Sequence, residues 1–472
     1  MSLLGTLDLG RRSLQTQRQA IEVTGNNLAN VNTAGYSRQR LVIQSASTID
    51  TDIGPQGTGA EAVRIEQLRS TLLDRQAESE LSVQGSLEAQ QRTLQLLQAK
   101  VGQQIDRQAA GATSATQGVS GQNGLADDLS GLFNTFQSLS AQPTSLDARQ
   151  TVLNQAQKVV DGFHTVATGV AALEDSLNQS IGTDVTSANA LLKDVATLND
   201  QIARAESGSG AQANELRDAR QQKLEALAKI AKVDVAEDST GMVDVSLSGA
   251  SLVSGNQMTD TLEAYDTGTG DLGVRTKTGA TPLTINGGSL NGYIQVRDGS
   301  LVPLKQEIDQ LAKSLVDAVN TAHGKGFGLT GATGNDFFTG TDAATLGLNA
   351  AVVGNPALIQ ASGDAAAKGD NAVALALAQL GNQPQAALNG ATFNEKFTRS
   401  VTEMGDALAN VNSDLTTQKS FQDLLETQRN AVSGVSLDEE MTNMMKFQKA
   451  YEASARLINT VDSMLDTVIG LK

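Results

Sequence analysis

Apolar side chains recur at intervals of seven residues near both ends of this 472-residue chain. Such a repeat predicts a helix that buries one narrow face. At the N-terminal end the predicted seam consists of Leu7, Leu14, Ile21, Leu28 and Val31. Gly5, Gly10 and Gly25 lie within this helix, and each lowers its stability by about 1 kcal/mol relative to alanine. We therefore expect the helix to form poorly until a partner covers the seam.

The C-terminal helix is predicted to carry a wider apolar face. Ser436 and Glu439 form a capping-box pattern at its start, and the acidic run 438–440 lies where the helix dipole favours negative charge. Two neighbouring stripes then follow, of which the first is Met444, Tyr451, Ile458 and Leu465. The second contains Phe447, Leu457, Val461, Met464 and Val468. One narrow seam cannot cover both, so the pattern predicts that the terminal helices pair and leave apolar surface for further copies or partners.

Between the ends the pattern is mostly helical. Two β-like runs at 40–44 and 60–67 come first, and the Pro- and Gly-containing loop between them predicts a hairpin. Helical periodicity extends from Leu68 to Arg107, and a Gly-, Ser- and Thr-rich stretch at 111–124 then breaks it. Helix resumes over residues 125–232, with interruptions predicted at Pro143, Gly182 and 207–210.

A change of pattern near residue 233 predicts a small β domain. Short alternating segments, punctuated by Gly, Asn and Asp, continue to about residue 298. Helices are predicted again over 301–322 and 393–431, with short helical pieces and loops over 340–390.

The predicted fold is mainly α with a small β domain, in an elongated chain. The N- and C-terminal helices pair as a coiled-coil-like stem, followed by a long helical bundle and an inserted β-rich outer domain. The predicted divisions are a terminal assembly unit of 1–71 and 431–472 that includes the hairpin, a helical rod-like domain of 72–232 and 299–430, and a β-rich domain of 233–298. Residues 340–390 are considered for association with the β-rich domain.

Charge and composition exclude several classes of function. A formal net charge of -17 argues against a nucleic-acid partner, which would need a basic face. The absence of cysteine excludes disulfides and thiolate sites. No apolar run is long enough to span a membrane, and the first residues lack the apolar region of a secretory signal.

No pattern of catalytic or cofactor-binding residues stands out. His164 is predicted to be a packed or surface residue, and His323 to lie at a helix end where an imidazolium complements the dipole. The match to GxGxxG at 268–273 has turn residues on both sides, which predicts a β-turn rather than a nucleotide site. We therefore expect no enzyme activity, no metal and no cofactor.

Three segments resemble a known family. The stretch "GNNLANVNTAGYSRQR" at 25–40 resembles the N-terminal signature of the bacterial flagellar axial proteins, the rod, hook and hook-associated group. The closing segment 434–471 is similar to the matching C-terminal signature. In the middle, "GSLNGYIQVRD" at 288–298, "NTAHGKGFGLTG" and "GNDFF" resemble the hook-associated members.

This resemblance implies a structural component of the bacterial flagellum. Such a protein would leave the cell by the flagellum's own type III export route, without a cleaved signal peptide, and polymerise at the hook tip to form the hook–filament junction. The implied partners are further copies in a ring or helical array, the hook protein, a second junction protein and a cytoplasmic export chaperone on the C-terminal helix. No nucleic-acid partner and no membrane insertion are implied.

The resemblance also suggests a role for the signature turn. Its Asn-rich part would redirect the chain from the first helix into the hairpin, with Gly35 as a left-handed stop. Tyr36 would join the assembly surface, and Arg38 and Arg40 would lie where acidic neighbours pack. Reversing both arginine charges is expected to weaken assembly without unfolding the middle domains.

Two alternatives remain open from sequence. A hook protein or a distal rod protein would carry the same terminal signatures, but would be predominantly β between them. A secreted hydrolase with a helical assembly domain would need His164 or His323 in a cleft.

Overall fold

The computed structural model describes residues 3–50, 54–101, 124–208, 211–238, 240–268 and 270–470. Its helices are α1 (Leu3–Ala29), α2 (Thr71–Val101), α3 (Leu125–Ala141), α4 (Leu146–Glu206), α5 (Asn214–Ile230), α6 (Gly288–Val296), α7 (Val302–His323), α8 (Ala350–Gly354), α9 (Ala372–Gln379), α10 (Phe393–Ser433) and α11 (Leu437–Gly470). The strands are β1 (Gln39–Ser45), β2 (Thr48–Ile49), β3 (Gln56–Gly57), β4 (Ala60–Gln67), β5 (Asp234–Glu237), β6 (Val243–Leu247), β7 (Ala250–Ser254), β8 (Gln257–Met258), β9 (Leu262–Asp266), β10 (Leu272–Thr276), β11 (Phe338–Thr339) and β12 (Gly347–Leu348).

The two terminal helices pack against each other, as predicted. Asn27 contacts Glu440, and Ser13 contacts Ser454. Gly10, near the N-terminal end of α1, lies against Ile458. Because residue numbers rise along α1 as they fall along α11, the two helices run antiparallel. We call this pair the stem.

The predicted N-terminal hairpin is also present. Strands β1 and β4 pair antiparallel from Gln39 opposite Gln67 to Ser45 opposite Ala60, with an irregularity between Val42 and Ile43. The two short strands β2 and β3 pair beyond its end. The hairpin packs on α1, so the stem has a third layer along part of its length.

The helical body is built around α4, which is a single helix of 61 residues. The break predicted at Gly182 is wrong. Leu177, Ile181, Val185 and Ala188 stay buried at helical spacing on both sides of this glycine. Continuous burial of this face outweighs the roughly 1 kcal/mol that one glycine costs a helix.

Two main apolar cores share α4. The first joins its N-terminal half to α3, α7, α9 and the start of α10. The second joins its C-terminal half to α5 and to strands β6, β7, β9 and β10. Buried residues of the segment 340–390, such as Leu346, Val352 and Leu377, belong to the first core. That segment therefore packs with the helices, whereas the sequence suggested the strands.

The β-rich segment is shorter than predicted. Its strands form a four-stranded sheet in the order β5-β6-β7-β8 and a separate β9-β10 hairpin. Residues 288–298, predicted as the end of the β domain, instead form α6 and the start of a π-helical turn at Arg297–Leu301. Gly288 has a positive φ of 76° at this change of direction, and a side chain at Gly292 would overlap the backbone of Ser86 in α2. Both glycines allow a close backbone approach, Gly288 to the C-terminal end of α5 at Ile230 and Gly292 to α2.

Some predictions fall outside the described residues. Helix α2 ends at Val101, so the predicted continuation to Arg107 and nearly all of the predicted break at 111–124 lie beyond what the structure describes. The same holds for residues 209–210 of the predicted interruption at 207–210.

Candidate assembly surface

The buried face of α1 differs from the predicted seam. Its buried residues are Gly10, Thr16, Ala20, Val23, Thr24 and Asn27. The predicted residues are only half-buried: Leu7, Leu14, Ile21, Leu28 and, just beyond the helix, Val31. The small residues allow α11 and the hairpin to approach α1 closely, and the larger apolar side chains border these contacts.

On α11 the predicted residues divide into covered and uncovered groups. Val461 is buried, at 4% exposure, and the half-buried residues are Met444, Phe447, Leu457, Ile458 and Leu465. The exposed ones are Tyr451, Met464 and Val468, with Met464 at 50% and Val468 at 56%. The stem therefore leaves part of the predicted apolar face open.

Four exposed apolar residues of α11 lie outside both predicted stripes: Leu437, Met441, Met445 and Ile469. The first three follow one another at intervals of four, which places them on one helix face. The four-residue spacing of these three positions is present in the sequence, but it does not follow the seven-residue repeat from which the two stripes were predicted.

The signature turn is held by a buried polar cluster. Gly35 has the predicted left-handed conformation, with a φ of 76°, but it does not end α1, which already stops at Ala29; Gly35 lies in the turn that follows. Tyr36 Oη donates to Asn27 Oδ1 at 2.8 Å, and Asn27 Nδ2 donates to Glu440 Oε2 at 3.0 Å and to the Gln39 carbonyl at 2.8 Å. Burial, with help from nearby carboxylates, raises the pKa of Tyr36 to about 12, so this hydroxyl remains a donor.

Both arginines of the signature have acidic partners, and these belong to the same chain. Arg38 Nε donates to Glu440 Oε1 at 2.8 Å, and its Nη1 donates to Glu439 Oε2 at 2.7 Å. Arg40 Nη2 donates to Glu66 Oε1 across the hairpin. Because Glu440 is only 2% exposed, the Arg38 pair is largely removed from water, whereas Arg40 is solvent-exposed.

His323 lies at the C-terminal end of α7, as predicted, but the predicted role of an imidazolium that complements the helix dipole is wrong. His323 is completely buried, its Nδ1 lies 2.8 Å from the Asn335 carbonyl, and its Nε2 accepts from the Gln360 amide at 2.9 Å. Burial lowers the pKa of His323 to about 4, so the ring is neutral. It acts as a core hydrogen-bonding group that joins α7 to two loops.

The two other candidates for a chemical role, His164 and the GxGxxG match at 268–273, make hydrogen bonds within the fold. His164 is half-buried, and its Nε2 lies 2.8 Å from the Leu346 carbonyl. Of the GxGxxG match, the described residues 268 and 270–271 lie between β9 and β10 and residues 272–273 begin β10; Asp266 Oδ1 accepts from the Gly268 and Gly270 amides. Over the described residues, no three His, Cys, Asp or Glu side chains are grouped to hold a metal. Within the same residues, no helix combines the length and apolarity needed to cross a membrane.

Sequence comparisons match each part of this architecture. The family model described as flagella basal body rod protein matches residues 7–36, and that of the flagellar basal body rod FlgEFG protein C-terminal matches 423–471. The flagellar hook-associated protein FlgK helical domain matches 117–338. Flagellar hook-associated protein 1 of Bacillus subtilis is 27% identical, over 98% of this chain and 97% of its own length. That of Escherichia coli is 25% identical, over 97% and 98%.

The chain is thus related along nearly its whole length to flagellar hook-associated protein 1. A solved structure, the flagellar hook junction protein FlgK from Burkholderia pseudomallei, shares the fold with a TM-score of 0.66 at 16% identity. The match covers 76% of this chain and 100% of that one. In this chain the segments that match the rod-protein models contain most of the stem helices. The segment that matches the FlgK helical domain contains α3 to α7 and the strands of the β-rich segment.

Proposed function

We propose that this protein is a structural component of the bacterial flagellum that polymerises at the hook tip and forms the hook–filament junction through its terminal helices. The observation that carries the proposal is the apolar surface that α1 leaves exposed on α11. Similarity to flagellar hook-associated protein 1 supports the flagellar role, and the position and chemistry of this surface support the mode of assembly.

The exposed apolar residues favour association. Full burial of a Val, Leu or Met side chain stabilises by about 1.5–3 kcal/mol, and Met441, Met445, Met464, Val468 and Ile469 are all largely exposed in the single chain. Methionine side chains adapt to the shape of a partner surface, which suits a face that meets several neighbours. Binding of this face to a different surface on the next copy is a head-to-tail contact, and repeated contacts of that type build a ring or an open helical array.

The proposal extends to other partners. A subunit at the hook tip would meet the hook protein on one side and a second hook–filament junction protein on the other. Before export, a cytoplasmic chaperone would hold the apolar face of α11 in a groove, as amphipathic helices are commonly bound. The protein would reach the cell exterior by type III export without a cleaved signal peptide. The net charge of -17 gives no support to a nucleic-acid partner.

A structural role is favoured over catalysis. Both ring nitrogens of His323 are engaged by backbone groups in the core, so this residue is unsuited to act as a general base. His164 and His323 hydrogen-bond to different backbone carbonyls, those of Leu346 and Asn335, and not to each other. The mainly helical body also argues against a hook or distal rod protein.

Binding to hook tips tests the proposal directly. Purified full-length protein is mixed with hooks isolated from cells that lack it, and the tips are examined by electron microscopy. We expect decoration confined to the distal end, and restored motility when the gene is returned to those cells. Absence of tip binding together with unrestored motility would refute the proposed role.

A further inference from the structure

One carboxylate of the body holds both ends of the segment that connects the stem to α2. Asp218 of α5 accepts from the Ser37 amide at 3.0 Å and from Ser37 Oγ at 2.8 Å, and it also accepts from Arg69 Nη1 at 3.0 Å. Ser37 lies just before β1 and Arg69 just after β4. Asp218 therefore joins the entry and the exit of the hairpin at one point.

The same face of α5 makes further contacts with the stem unit. Gln222, one turn beyond Asp218, donates from Nε2 to the Ala34 carbonyl at 2.9 Å. One turn before Asp218, the carbonyl of Asn214 accepts from Gln67 Nε2 at 2.7 Å. Residues spaced by four lie on one face of a helix, so α5 presents a polar row to the turn and the hairpin.

On its other side the signature turn is fixed to the stem itself. Tyr36 and Arg38 reach Asn27 and Glu440, as described above, and the Arg38 amide donates to the Ser433 carbonyl at the end of α10 at 2.9 Å. Four consecutive turn residues, 35–38, thus lie between the stem and α5. This short segment is where the direction of the stem relative to the body is set.

The environment of Asp218 suits a positioning role better than a stabilising one. The residue is 5% exposed, and burial raises its pKa while its donors oppose that change. A buried carboxylate adds little net stability, because desolvation offsets what its hydrogen bonds return. Ser37 and Arg69 must nevertheless keep their present positions around Asp218, because a different arrangement would leave the buried carboxylate without hydrogen-bond donors.

We infer that Asp218 is the positioning residue that sets the orientation of the stem on the helical body, and that binding to hook tips requires this orientation. The second part rests on the proposed function. The first concerns the single chain alone and can be measured without hooks.

The absence of cysteine makes the orientation measurable. Cysteines introduced at the exposed positions Gln15 in α1 and Thr186 in α4 carry spin labels, and pulsed electron resonance gives the distance distribution between them. The labelled parent is compared with Asp218→Ala and Asp218→Asn. Asp194→Asn is the matched control. It removes an exposed carboxylate of α4 that pairs with Lys223, a residue of α5 like Asp218.

We expect one narrow distribution for the parent and the control. Asp218→Ala should broaden it, and Asp218→Asn should broaden it less, because the amide oxygen still accepts one hydrogen bond. Circular dichroism checks that each variant is folded. If Asp218→Ala loses helix, the double variant Ser37→Ala/Gln222→Ala replaces it, since Gln222 is exposed and neither side chain belongs to an apolar core. An unchanged distribution in the folded variants would overturn the inference.

Hook-tip binding is measured separately on the unlabelled proteins. Asp218→Ala should weaken it by about tenfold, a size typical of coupling between two parts of a protein. Binding equal to that of wild type, alongside a broadened distribution, would overturn the requirement for a fixed orientation. If wild-type protein itself fails to bind hooks, the proposed function fails, while the distance measurement still decides the role of Asp218.

Discussion

Gly10 of α1 lies directly against Ile458 of α11. A Cβ atom at position 10 would come within 2.7 Å of Ile458 Cγ1, closer than carbon atoms pack in proteins, and within 3.2 Å of Leu457 Cδ2, which is tighter than most such contacts. From the sequence this glycine was expected only to weaken α1. In the structure it also allows the two terminal helices to approach each other.

A pair of glycine substitutions separates these two effects. Gly25 also lies in α1, but a Cβ there meets nothing within 4 Å. Gly25→Ala should therefore stabilise the stem by up to about 1 kcal/mol through helix propensity. Gly10→Ala should lose that gain and destabilise the stem, because overpacking costs about 1–3 kcal/mol.

Hydrogen exchange of the α1 amides measures both effects, since it reports local opening of the stem. Exchange should slow in Gly25→Ala and quicken in Gly10→Ala. Adding Ile458→Ala to Gly10→Ala should recover part of the loss. Equal slowing in both single variants would mean that α11 does not pack on Gly10.

The two arginines of the signature turn should differ in importance. Arg38→Ala leaves the buried carboxylate of Glu440 without its guanidinium partner, and breaking a buried pair costs about 3–5 kcal/mol. Arg40→Ala breaks an exposed pair with Glu66, worth at most about 1 kcal/mol. Limited proteolysis of the stem should show faster cleavage for Arg38→Ala alone. Similar cleavage of the two variants would contradict the burial of the Glu440 pair.

His323 predicts a loss of stability in acid. Its pKa is about 4 in the folded chain and about 6.5 when unfolded, so the unfolded state binds more protons between these values. Its contribution is therefore complete above about pH 6.5 and falls by about 3 kcal/mol as the pH drops toward 4. The positive charge of Arg149 opposes protonation further, and Asp336 favours it.

Denaturant unfolding at a series of pH values checks this prediction. His323→Gln keeps a polar side chain without a titrating ring, so its stability should be lower at neutral pH and change less between pH 6.5 and 4. His164→Gln serves as the control and should follow wild type. A wild-type slope retained in His323→Gln would assign the acid sensitivity to other groups.

The general architecture was predictable because it depends on long patterns. The paired terminal helices, the hairpin and the helical body follow from apolar periodicity and turn residues summed over many positions. The break expected at Gly182 was wrong because one residue's propensity counts little inside a helix buried on one face. The helix at 288–296 was missed because its glycines serve close contacts with the end of α5 and with α2, which no local pattern reveals.

The candidate surface was predictable only in part. Spacing identified α11 as apolar, but which residues α1 covers depends on small side chains such as Gly10 and Ala20. Sequence reasoning considered Arg38 as a contact residue and missed that Glu440 is its buried partner, because the two lie 402 positions apart. Asp218 gave no sequence signal at all, since its role arises from where α5 lies.

Sedimentation of the full-length chain tests the central claim, that the uncovered face of α11 drives assembly. Wild type is compared with Met464→Glu/Val468→Glu, and with Thr460→Glu/Thr467→Glu, which adds the same charges at exposed polar positions of the same helix. We predict concentration-dependent association for wild type and the threonine control, and a folded monomer for Met464→Glu/Val468→Glu. A monomeric wild type, or association unchanged in Met464→Glu/Val468→Glu, would contradict the account.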